Sequence, residues 1–143
     1  MERKYNGRLE GRTAIVTGST YGIGEAIAKV LSSEGAISII TERTDEEGER
    51  VAEEIKSASE AAEFHHVDET DEREVGEVAR ATYERYGKID ILVNNAGGSA
   101  ALCGKLSRFK DAEPETWGWV INLNLHGTMR CIQAVLGSMV ERR

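Results

Sequence analysis

The 143-residue chain carries 18 basic and 25 acidic residues, which gives a formal net charge of −7 at neutral pH. An acidic chain without a basic stripe is a poor binder of nucleic acid, so we expect no nucleic-acid partner. No apolar run approaches the roughly 18 residues that a membrane span needs, and the N-terminal stretch MERKYNGRLEGR lacks the apolar core of a signal peptide. We therefore expect a cytoplasmic chain without a membrane partner, folded as one domain over residues 1–143.

Short β-rich runs alternate with longer segments of helical periodicity. The runs span residues 14–17, 37–41, 64–67 and 89–93. The segments between them place apolar residues at helical spacing: Ile23, Ile27, Val30 and Leu31, then Val51, Ile55 and Ala58, then Val75, Val78, Ala79, Tyr83 and Tyr86. This alternation predicts an α/β fold in which helices cover both faces of a parallel sheet. The third stripe also predicts that its two tyrosines lie in the core.

Turn-forming residues mark the ends of the predicted helices. Gly35 and Gly87 follow the first and third helices, where left-handed backbone commonly ends a helix. Pro114 suits the first position of a final helix that opens near Glu113 and continues to the end of the sequence. The predicted buried stripe of this final helix is Trp117, Val120, Ile121, Leu125, Thr128, Ile132, Val135, Leu136 and Met139.

The two cysteines, Cys103 and Cys131, lie far apart in the sequence and form no CxxC pair. This usage fits an intracellular protein better than a disulfide scaffold. We therefore expect two free thiols that serve packing.

The first predicted strand leads through the stretch TGSTYGIG, residues 17–24, into a helix. Its glycines, Gly18, Gly22 and Gly24, follow a Gly-x-x-x-Gly-x-Gly spacing. Glycine admits positive φ and lets a pyrophosphate approach main-chain N–H groups, while the helix N-terminus attracts negative charge. The context therefore favours phosphate binding of the kind that dinucleotide folds use. A tight strand-to-helix connection without a ligand is the alternative.

Glu42 gives a second indication, because it ends the second predicted strand 18 residues beyond Gly24. A carboxylate near this offset binds the hydroxyls of an adenosine ribose and repels a 2′-phosphate, which favours NAD over NADP. The neighbouring Arg43 could instead pair with a 2′-phosphate, so NADP is left open. Two solvated charges at a strand end are the third interpretation.

Four stretches taken together resemble the short-chain dehydrogenase/reductase family. They are TGSTYGIG, VDETD, DILVNNAG and VINLNLHGT, at residues 17–24, 67–71, 90–97 and 120–128, in the family's order and at its usual separations. The resemblance covers nearly the whole chain. It implies a Rossmann-like, doubly wound parallel sheet with strand order 3-2-1-4, and NAD(P)-dependent hydride transfer between an alcohol and a carbonyl.

The resemblance also implies roles for individual residues. Gly18, Gly22 and Gly24 would line the pyrophosphate loop. Glu42 would bind the ribose, and Asp68 would meet the adenine edge. Residues 94–97 would border the nicotinamide ribose, although an Asn-Asn pair could equally form only a strand-ending turn. The implied cofactor-binding residues are Gly18, Ser19, Tyr21, Gly22, Ile23, Gly24, Glu42, Arg43, Asp68, Asn95, Ala96 and Gly97.

Asn124 matches the asparagine of the family's catalytic Asn-Ser-Tyr-Lys set. The residue pattern also singles it out, because it lies on the apolar stripe between Ile121 and Leu125. A buried amide without a partner there would cost about 1–3 kcal/mol. A core asparagine bonded to backbone is the alternative, whereas Asn122 points off the stripe and is expected at the surface.

The three histidines do not predict a metal site. His65 and His66 are neighbours on a predicted strand, so their side chains point to opposite faces. His126 has no histidine or carboxylate four residues away on its helix. We therefore expect no bound metal.

The family's serine and its Tyr-x-x-x-Lys pair do not occur in this sequence. None of Tyr5, Tyr21, Tyr83 and Tyr86 has a lysine four residues later. The sequence ends at SMVERR, where the resemblance would place a fifth strand and the helix that bears the pair. We therefore expect a truncated sheet that holds the adenine half of the cofactor site, with strand four as an uncovered edge.

These observations predict the cofactor-binding part of an NAD(P)-dependent short-chain oxidoreductase whose substrate is a small alcohol or ketone. A non-catalytic NAD(H)-binding module and a fragment without a function of its own are the alternatives. The resemblance further implies a homo-oligomer, a dimer or a tetramer, with the last helix at the interface. The outer face of that helix would be apolar and in need of a partner.

Overall fold

A parallel sheet forms the centre of the molecule, for which the computed structural model describes residues 7–58 and 61–142. Tyr5 therefore lies outside the described residues. Within them, the four strands pair in the order β3-β2-β1-β4, which confirms the predicted order. The strands are β1 (Thr13–Thr17), β2 (Ile37–Glu42), β3 (Ala62–His66) and β4 (Ile91–Val93).

Helices connect the strands and follow the last one. They are α1 (Gly22–Ser33), α2 (Asp45–Ser57), α3 (Glu72–Tyr86), α4 (Pro114–Ile121) and α5 (Thr128–Glu141). Pro114 occupies the first turn of α4, and the positive φ values of Gly35 (97°) and Gly87 (69°) follow α1 and α3, as predicted. Two short 3₁₀ turns, Ala100–Cys103 and Phe109–Asp111, lie in the loop between β4 and α4.

The sheet separates two apolar layers, which is the doubly wound arrangement that the alternation predicts. One layer joins the sheet to α3 and α5, and its buried members are Ile15, Ile39, Val67, Val75, Val78, Ala79, Ile89, Cys131 and Val135. The other joins the sheet to α1 and α2, and its buried members are Val16, Ala28, Ile40, Val51, Ala52, Ile55 and Ala62. Neighbouring strand residues such as Ile15 and Val16 therefore face opposite layers.

The face that α1 turns toward the sheet consists of small residues. Its buried positions are Gly24, Ala28 and Ser32. Ile23 and Val30 of the predicted stripe are exposed, so this part of the prediction is wrong. Small residues bring the helix axis close to the strands, and the Ser32 hydroxyl donates to the Ser38 hydroxyl of β2 at 2.7 Å. The apolar pattern alone does not reveal such a polar, close contact.

Three other predicted core residues lie nearer the surface. Tyr83 is 43% exposed, so its predicted burial is wrong, and Ala58 lies just beyond the end of α2 and is exposed. Tyr86 packs at the margin of the core and donates its hydroxyl to the Glu63 carboxylate. Burial and this bond raise the pKa of Tyr86 to about 12. A phenol needs a polar partner, which favours the margin over the centre.

The last helical stretch is a continuous helix with a π-helical segment, Asn122–Gly127, between α4 and α5. Its buried positions recur every four residues: Leu123, Gly127, Cys131 and Val135. The predicted stripe is wrong for most of its members, and five of them are 39–53% exposed: Trp117, Ile121, Leu125, Ile132 and Leu136. A π turn shifts the helical register, and the small Gly127 and Cys131 allow a close approach to the sheet.

The sequence predicts two free cysteines and no membrane-spanning segment, and both predictions can be compared with the structure. Cys103 and Cys131 are both free, and Cys131 is buried, so the prediction of free thiols is confirmed. Burial raises the pKa of the Cys131 thiol to about 12, which keeps it in its neutral form. No helix within the described residues is long and apolar enough to cross a membrane.

Candidate functional site: a cleft at the carboxyl ends of the strands

An open cleft of about 560 Å³ lies at the carboxyl ends of the strands. The strand register brings these ends together, because Thr17 of β1 pairs with Thr41 of β2 and Glu42 pairs with His66 of β3. Open α/β sheets bind ligands at this edge. The cleft is lined by Gly18, Thr20, Tyr21, Gly22, Ile23, Glu42, Arg43, Thr44, Glu47, Glu69, Asn95, Ala96, Gly97, Leu102 and Leu123.

Nine of the twelve predicted cofactor-binding residues line this cleft, and Ser19, Gly24 and Asp68 do not. Ser19 is fully buried behind the loop, where its hydroxyl donates to the Val16 carbonyl at 2.7 Å. The same hydroxyl accepts from the Thr41 N–H at 3.2 Å. Ser19 therefore fixes the loop to β1 and β2 from below and does not face the cleft.

Two glycines let the loop backbone pack directly against neighbouring groups. A Cβ on Gly18, whose φ is +58°, would lie 2.8 Å from the Ala96 Cα. A Cβ on Gly24 would overlap the Gly18 carbonyl oxygen and the Asn95 side-chain amide. Any larger residue at either position would push the loop away from β4.

The N-terminus of α1 opens toward the cleft. Tyr21 is the N-cap residue, and no described side chain caps the first turn. The main-chain N–H groups at the start of the helix are therefore free to bind an anion, which the helix dipole also favours. Gly22 has φ +57°, and a Cβ there would meet nothing within 4 Å, so this side of the loop is open space.

Asn95 braces the loop from the end of β4. Its amide donates to the carbonyls of Thr17 and Gly18 at 3.0 and 2.8 Å. In return, the Thr17 hydroxyl accepts from the N–H groups of Asn95 and Ala96 at 3.1 and 2.9 Å. These four hydrogen bonds fix the distance between the glycine loop and residues 95–97 across the cleft. Sequence reasoning missed Thr17, whose signal is a hydroxyl at the end of an otherwise apolar strand.

Two donors hold the Glu42 carboxylate at the cleft wall. The Thr20 hydroxyl donates to it at 3.0 Å, and the Arg43 N–H donates at 2.8 Å. The Arg43 guanidinium turns instead toward Asp68, 3.8 Å from its carboxylate. The cleft thus presents Glu42 as an oriented acceptor beside a cation that is engaged elsewhere.

Asp68 lies behind the lining residues and caps its own turn. Its carboxylate accepts from the N–H and the hydroxyl of Thr70 at 2.8 and 2.7 Å. Burial pushes the pKa of Asp68 up, but these bonds and the Arg43 charge outweigh it and hold the pKa below its ordinary value. Asp68 is therefore ionised and held in place at neutral pH.

Glu69 is a buried acid in the cleft wall that sequence reasoning missed. Only 5% of the residue is exposed, and the Thr41 hydroxyl donates to its carboxylate at 3.4 Å. Burial and the nearby charges of Glu42 and Asp68 raise its pKa to about 7. Nothing in the VDETD stretch distinguishes this inward acid from the solvated acids around it.

Asn124 lies in the π-helical segment, exposed rather than buried, so the predicted core position is wrong. Its Oδ1 accepts from the Gly98 N–H at 3.0 Å, and its Nδ2 donates to the Gly98 and Val120 carbonyls at 2.7 and 2.8 Å. A Cβ on Gly97 would lie 2.6 Å from the same Oδ1. Asn124 thus ties the loop after β4 to the helix, beside the cleft. Asn122, expected at the surface, is half-buried and accepts from Arg130 at 3.0 Å.

His65 and His66 each contact a carboxylate. His65 is half-buried, 3.5 Å from the Glu63 carboxylate, and the exposed His66 is bonded to Asp45 at 2.8 Å. The Asp45 bond raises the pKa of His66. In the ranges 7–58 and 61–142, no three His, Cys, Asp or Glu side chains lie together in a way that could hold a metal ion.

The site can cradle a dianion and orient an attached ribose. The open end of α1 and the glycine loop fit a pyrophosphate, because Gly18 and Gly24 leave no room for a side chain and Gly22 borders open space. Glu42 fits a pair of ribose hydroxyls, because a carboxylate only accepts hydrogen bonds. The residues therefore fit an adenine dinucleotide.

Known proteins resemble this chain over nearly its whole length. An uncharacterized oxidoreductase of Staphylococcus saprophyticus is 36% identical over 135 residues, which cover 94% of this chain and 56% of that protein. The 3-oxoacyl-[acyl-carrier-protein] reductase FabG of Thermotoga maritima is 33% identical over 136 residues, 95% of this chain and 53% of that protein. The chain thus spans about half the length of the curated relatives it matches.

A solved structure supports the same assignment. A metagenomic short-chain oxidoreductase crystallised in complex with NADP superposes with a TM-score of 0.87 at 32% identity, covering 94% of this chain and 59% of that chain. The sequence profile of the short chain dehydrogenases matches residues 12–143. This match and the fold show that the chain belongs to the short-chain dehydrogenase family.

Proposed function

We propose that residues 1–143 form one NAD(P)-binding domain, the cofactor-binding part of a short-chain oxidoreductase. The observation that carries the proposal is the glycine loop, where Gly18 and Gly24 exclude any side chain and the uncapped end of α1 faces open space. A loop packed this closely and left open on one side is what a pyrophosphate needs. The crystallised relative that holds NADP supports the same ligand class.

Each part of the cleft has a distinct task in this proposal. The N–H groups at the start of α1 bind the pyrophosphate, and Tyr21 and Ile23 flank it at the mouth. Glu42 accepts from the adenosine ribose, while Asp68 lies behind the adenine end. Asn95, Ala96 and Gly97 border the other ribose, and Asn95 keeps that wall at a fixed distance from the glycine loop.

Glu42 favours NAD over NADP in this proposal. Its carboxylate already receives two hydrogen bonds that aim it along the cleft wall, and a 2′-phosphate would meet it as a like charge. Arg43 could offset this repulsion only by leaving Asp68. NADP therefore binds less tightly than NAD.

The bound cofactor, in its reduced form, would donate hydride to a small ketone and, in its oxidised form, would accept hydride from the corresponding alcohol. This chain contributes binding and orientation, and Asn124 positions the loop after β4 through Gly98. The 143 residues contain no Tyr-x-x-x-Lys pair to move the proton. We therefore expect the polypeptide to bind cofactor without turning over substrate.

Calorimetric titration with NADH tests the proposal. Gly22→Ala places a methyl group in the open side of the loop without touching other described atoms. We expect it to weaken NADH binding at least tenfold while the protein stays folded. The control is Gly87→Ala, which adds the same methyl group at a similarly positive φ (+69°) with nothing within 4 Å, far from the loop at the end of α3, and should leave binding unchanged. Equal NADH affinity in all three proteins, or none in the unmodified chain, would contradict the proposal.

The outer face of α4 and α5 supports self-association of the chain into a dimer or tetramer. Its half-exposed apolar side chains are Trp117, Ile121, Leu125, Met129, Ile132, Leu136 and Val140. Contiguous apolar surface of this kind marks interaction sites. Sedimentation of the unmodified chain and of Ile132→Asp tests it, because a charge at the centre of the face should shift an oligomer to monomer.

A further inference from the structure

Glu69 is a buried acid that the proposed binding scheme does not use. It follows Asp68 in the turn between β3 and α3, and its carboxyl group reaches the Thr41 hydroxyl at the end of β2. Gly127 makes room for it, because a Cβ there would lie 3.2 Å from the Glu69 Cβ. Glu69 therefore lines the cleft although only 5% of the residue is exposed.

The hydrogen-bond donors around the Glu69 carboxyl group do not outweigh the effect of its burial. They are its own backbone N–H and the Thr41 hydroxyl, the latter at the long distance of 3.4 Å. Arg130 of α5 lies close, but its guanidinium bonds the Glu69 carbonyl at 3.4 Å and the Asn122 side chain at 3.0 Å, not the carboxyl group. Cys131 of α5 is a neutral thiol.

The charges that face Glu69 from β2 and the β3–α3 turn are mostly negative. Glu42 and Asp68 both raise the pKa of Glu69 through repulsion, after the larger effect of burial, to about 7. The Arg43 cation is drawn to Asp68 at 3.8 Å. A proton on Glu69 is therefore gained or lost near neutral pH, and the ionised form has little compensation.

We propose that Glu69 couples cofactor binding to a proton, so that the cleft binds an adenine dinucleotide tightly only while the Glu69 side chain is neutral. The inference rests on the proposed function, since it concerns the same cleft. A dinucleotide brings negative charge and displaces water from the wall, and both effects disfavour a second buried anion. Binding then takes up a proton, and affinity falls as the pH rises through neutrality.

The test is the dissociation constant of NADH, measured by calorimetry at about pH 6 and about pH 8. One proton taken up by a group that titrates near pH 7 weakens binding about tenfold across this interval. Glu69→Gln keeps a neutral side chain that can accept from Thr41. We expect the NADH affinity of this variant to change less than twofold between pH 6 and pH 8. His66→Gln is the matched control, because His66 is a second titratable side chain, whose pKa the Asp45 bond raises, but it does not line the cleft. We expect this variant to keep the tenfold change.

Titration of the unmodified chain in two buffers of different ionisation enthalpy gives a second readout that needs no variant. We expect uptake of about half a proton per NADH bound at pH 7. A constant NADH affinity from pH 6 to pH 8 would overturn the role of Glu69 and leave the proposed function standing. The same holds if the pH dependence of the affinity persists in Glu69→Gln. Absence of NADH binding at every pH would overturn both.

Discussion

The glycine loop and the outer face of α5 differ in how closely the rest of the chain packs against them. At the loop, backbone packs on backbone, and Gly18 lies so near Ala96 that one added carbon would collide with it. On α5, large side chains such as Leu136 stand half exposed next to fully buried ones such as Val135. Close contacts within the chain fix the shape of the loop, whereas no comparably close contacts cover the outer face of α5.

This difference predicts how strongly each surface resists substitution. The loop accepts almost no change in shape, because Asn95 donates to the Thr17 carbonyl and the Thr17 hydroxyl accepts from the Ala96 N–H. The outer face of α5 accepts many residues as far as the fold is concerned. Substitutions at the two surfaces should therefore differ sharply in their effect on unfolding.

Gly24→Val should have the largest effect. Its side chain would overlap the Gly18 carbonyl and the Asn95 amide, and overpacking against backbone lowers the free energy of unfolding by about 3 kcal/mol or more. Urea denaturation measures this loss. Gly137→Val is a control for the glycine-to-valine exchange in a helix, because the space around Gly137 is open. A loss no greater than that of the control would contradict the close fit at the loop.

Glu69 should make stability depend on pH in the cleft region. Its pKa is about 7 in the folded chain against an ordinary value of 4.5, so the folded state holds the proton more tightly than the unfolded state. The stabilisation is complete below pH 4.5 and is lost as the pH rises to 7, by on the order of 3 kcal/mol.

The matched measurement compares the unmodified chain with Glu69→Gln in urea at several pH values. The variant should gain stability relative to the unmodified chain between about pH 4.5 and pH 7, and the difference should then level off. Contributions from other groups, including His66, cancel in this comparison. A difference that stays constant with pH would show that Glu69 does not titrate as described.

Asn95→Ala should destabilise the chain by about 2 kcal/mol, since it leaves the Thr17 and Gly18 carbonyls without their amide partner. The neighbouring Asn94 is exposed, and Asn94→Ala should change the unfolding free energy by less than about 0.5 kcal/mol. Thermal denaturation of both variants separates the two positions. Similar melting temperatures for both variants would mean that the Asn95 hydrogen bonds do not contribute to stability.

The outer face of α5 should give the smallest effect. Leu136→Ala removes a side chain that is 50% exposed and should lower the unfolding free energy of the monomer by less than about 1 kcal/mol. Val135→Ala, one residue away but 3% exposed, should cost about 2 kcal/mol. Denaturation at low protein concentration compares them, and a larger loss for Leu136 would reverse the contrast between the surfaces.

The sheet and the glycine loop were predictable because their signals are local. Alternating β-rich runs and helical stripes predict the strands, and the 17–24 stretch with its three glycines predicts the sharp turn into α1. Glu42 could be located by its offset from that turn. These features depend on backbone conformation and on spacing along the chain, which the sequence displays directly.

The packing of the helices was less predictable because it depends on which neighbour each face meets. Periodicity identified an apolar face on the last helix, but the buried face contains Gly127 and Cys131, which let the helix approach the sheet. The π segment further shifted Asn124 away from its expected core position. The inward turn of Glu69 depends in the same way on room made by a residue far along the chain.

The most direct test of the central claim is an NMR titration of the ¹⁵N-labelled chain with NADH, followed through the backbone N–H signals. Saturable shifts should concentrate at residues 18–24 and 95–97 and near Glu42, while the signals of α5 beyond Val135 stay in place. This result would place the dinucleotide across the glycine loop. No saturable shift, or shifts confined to the outer face of α5, would contradict the account.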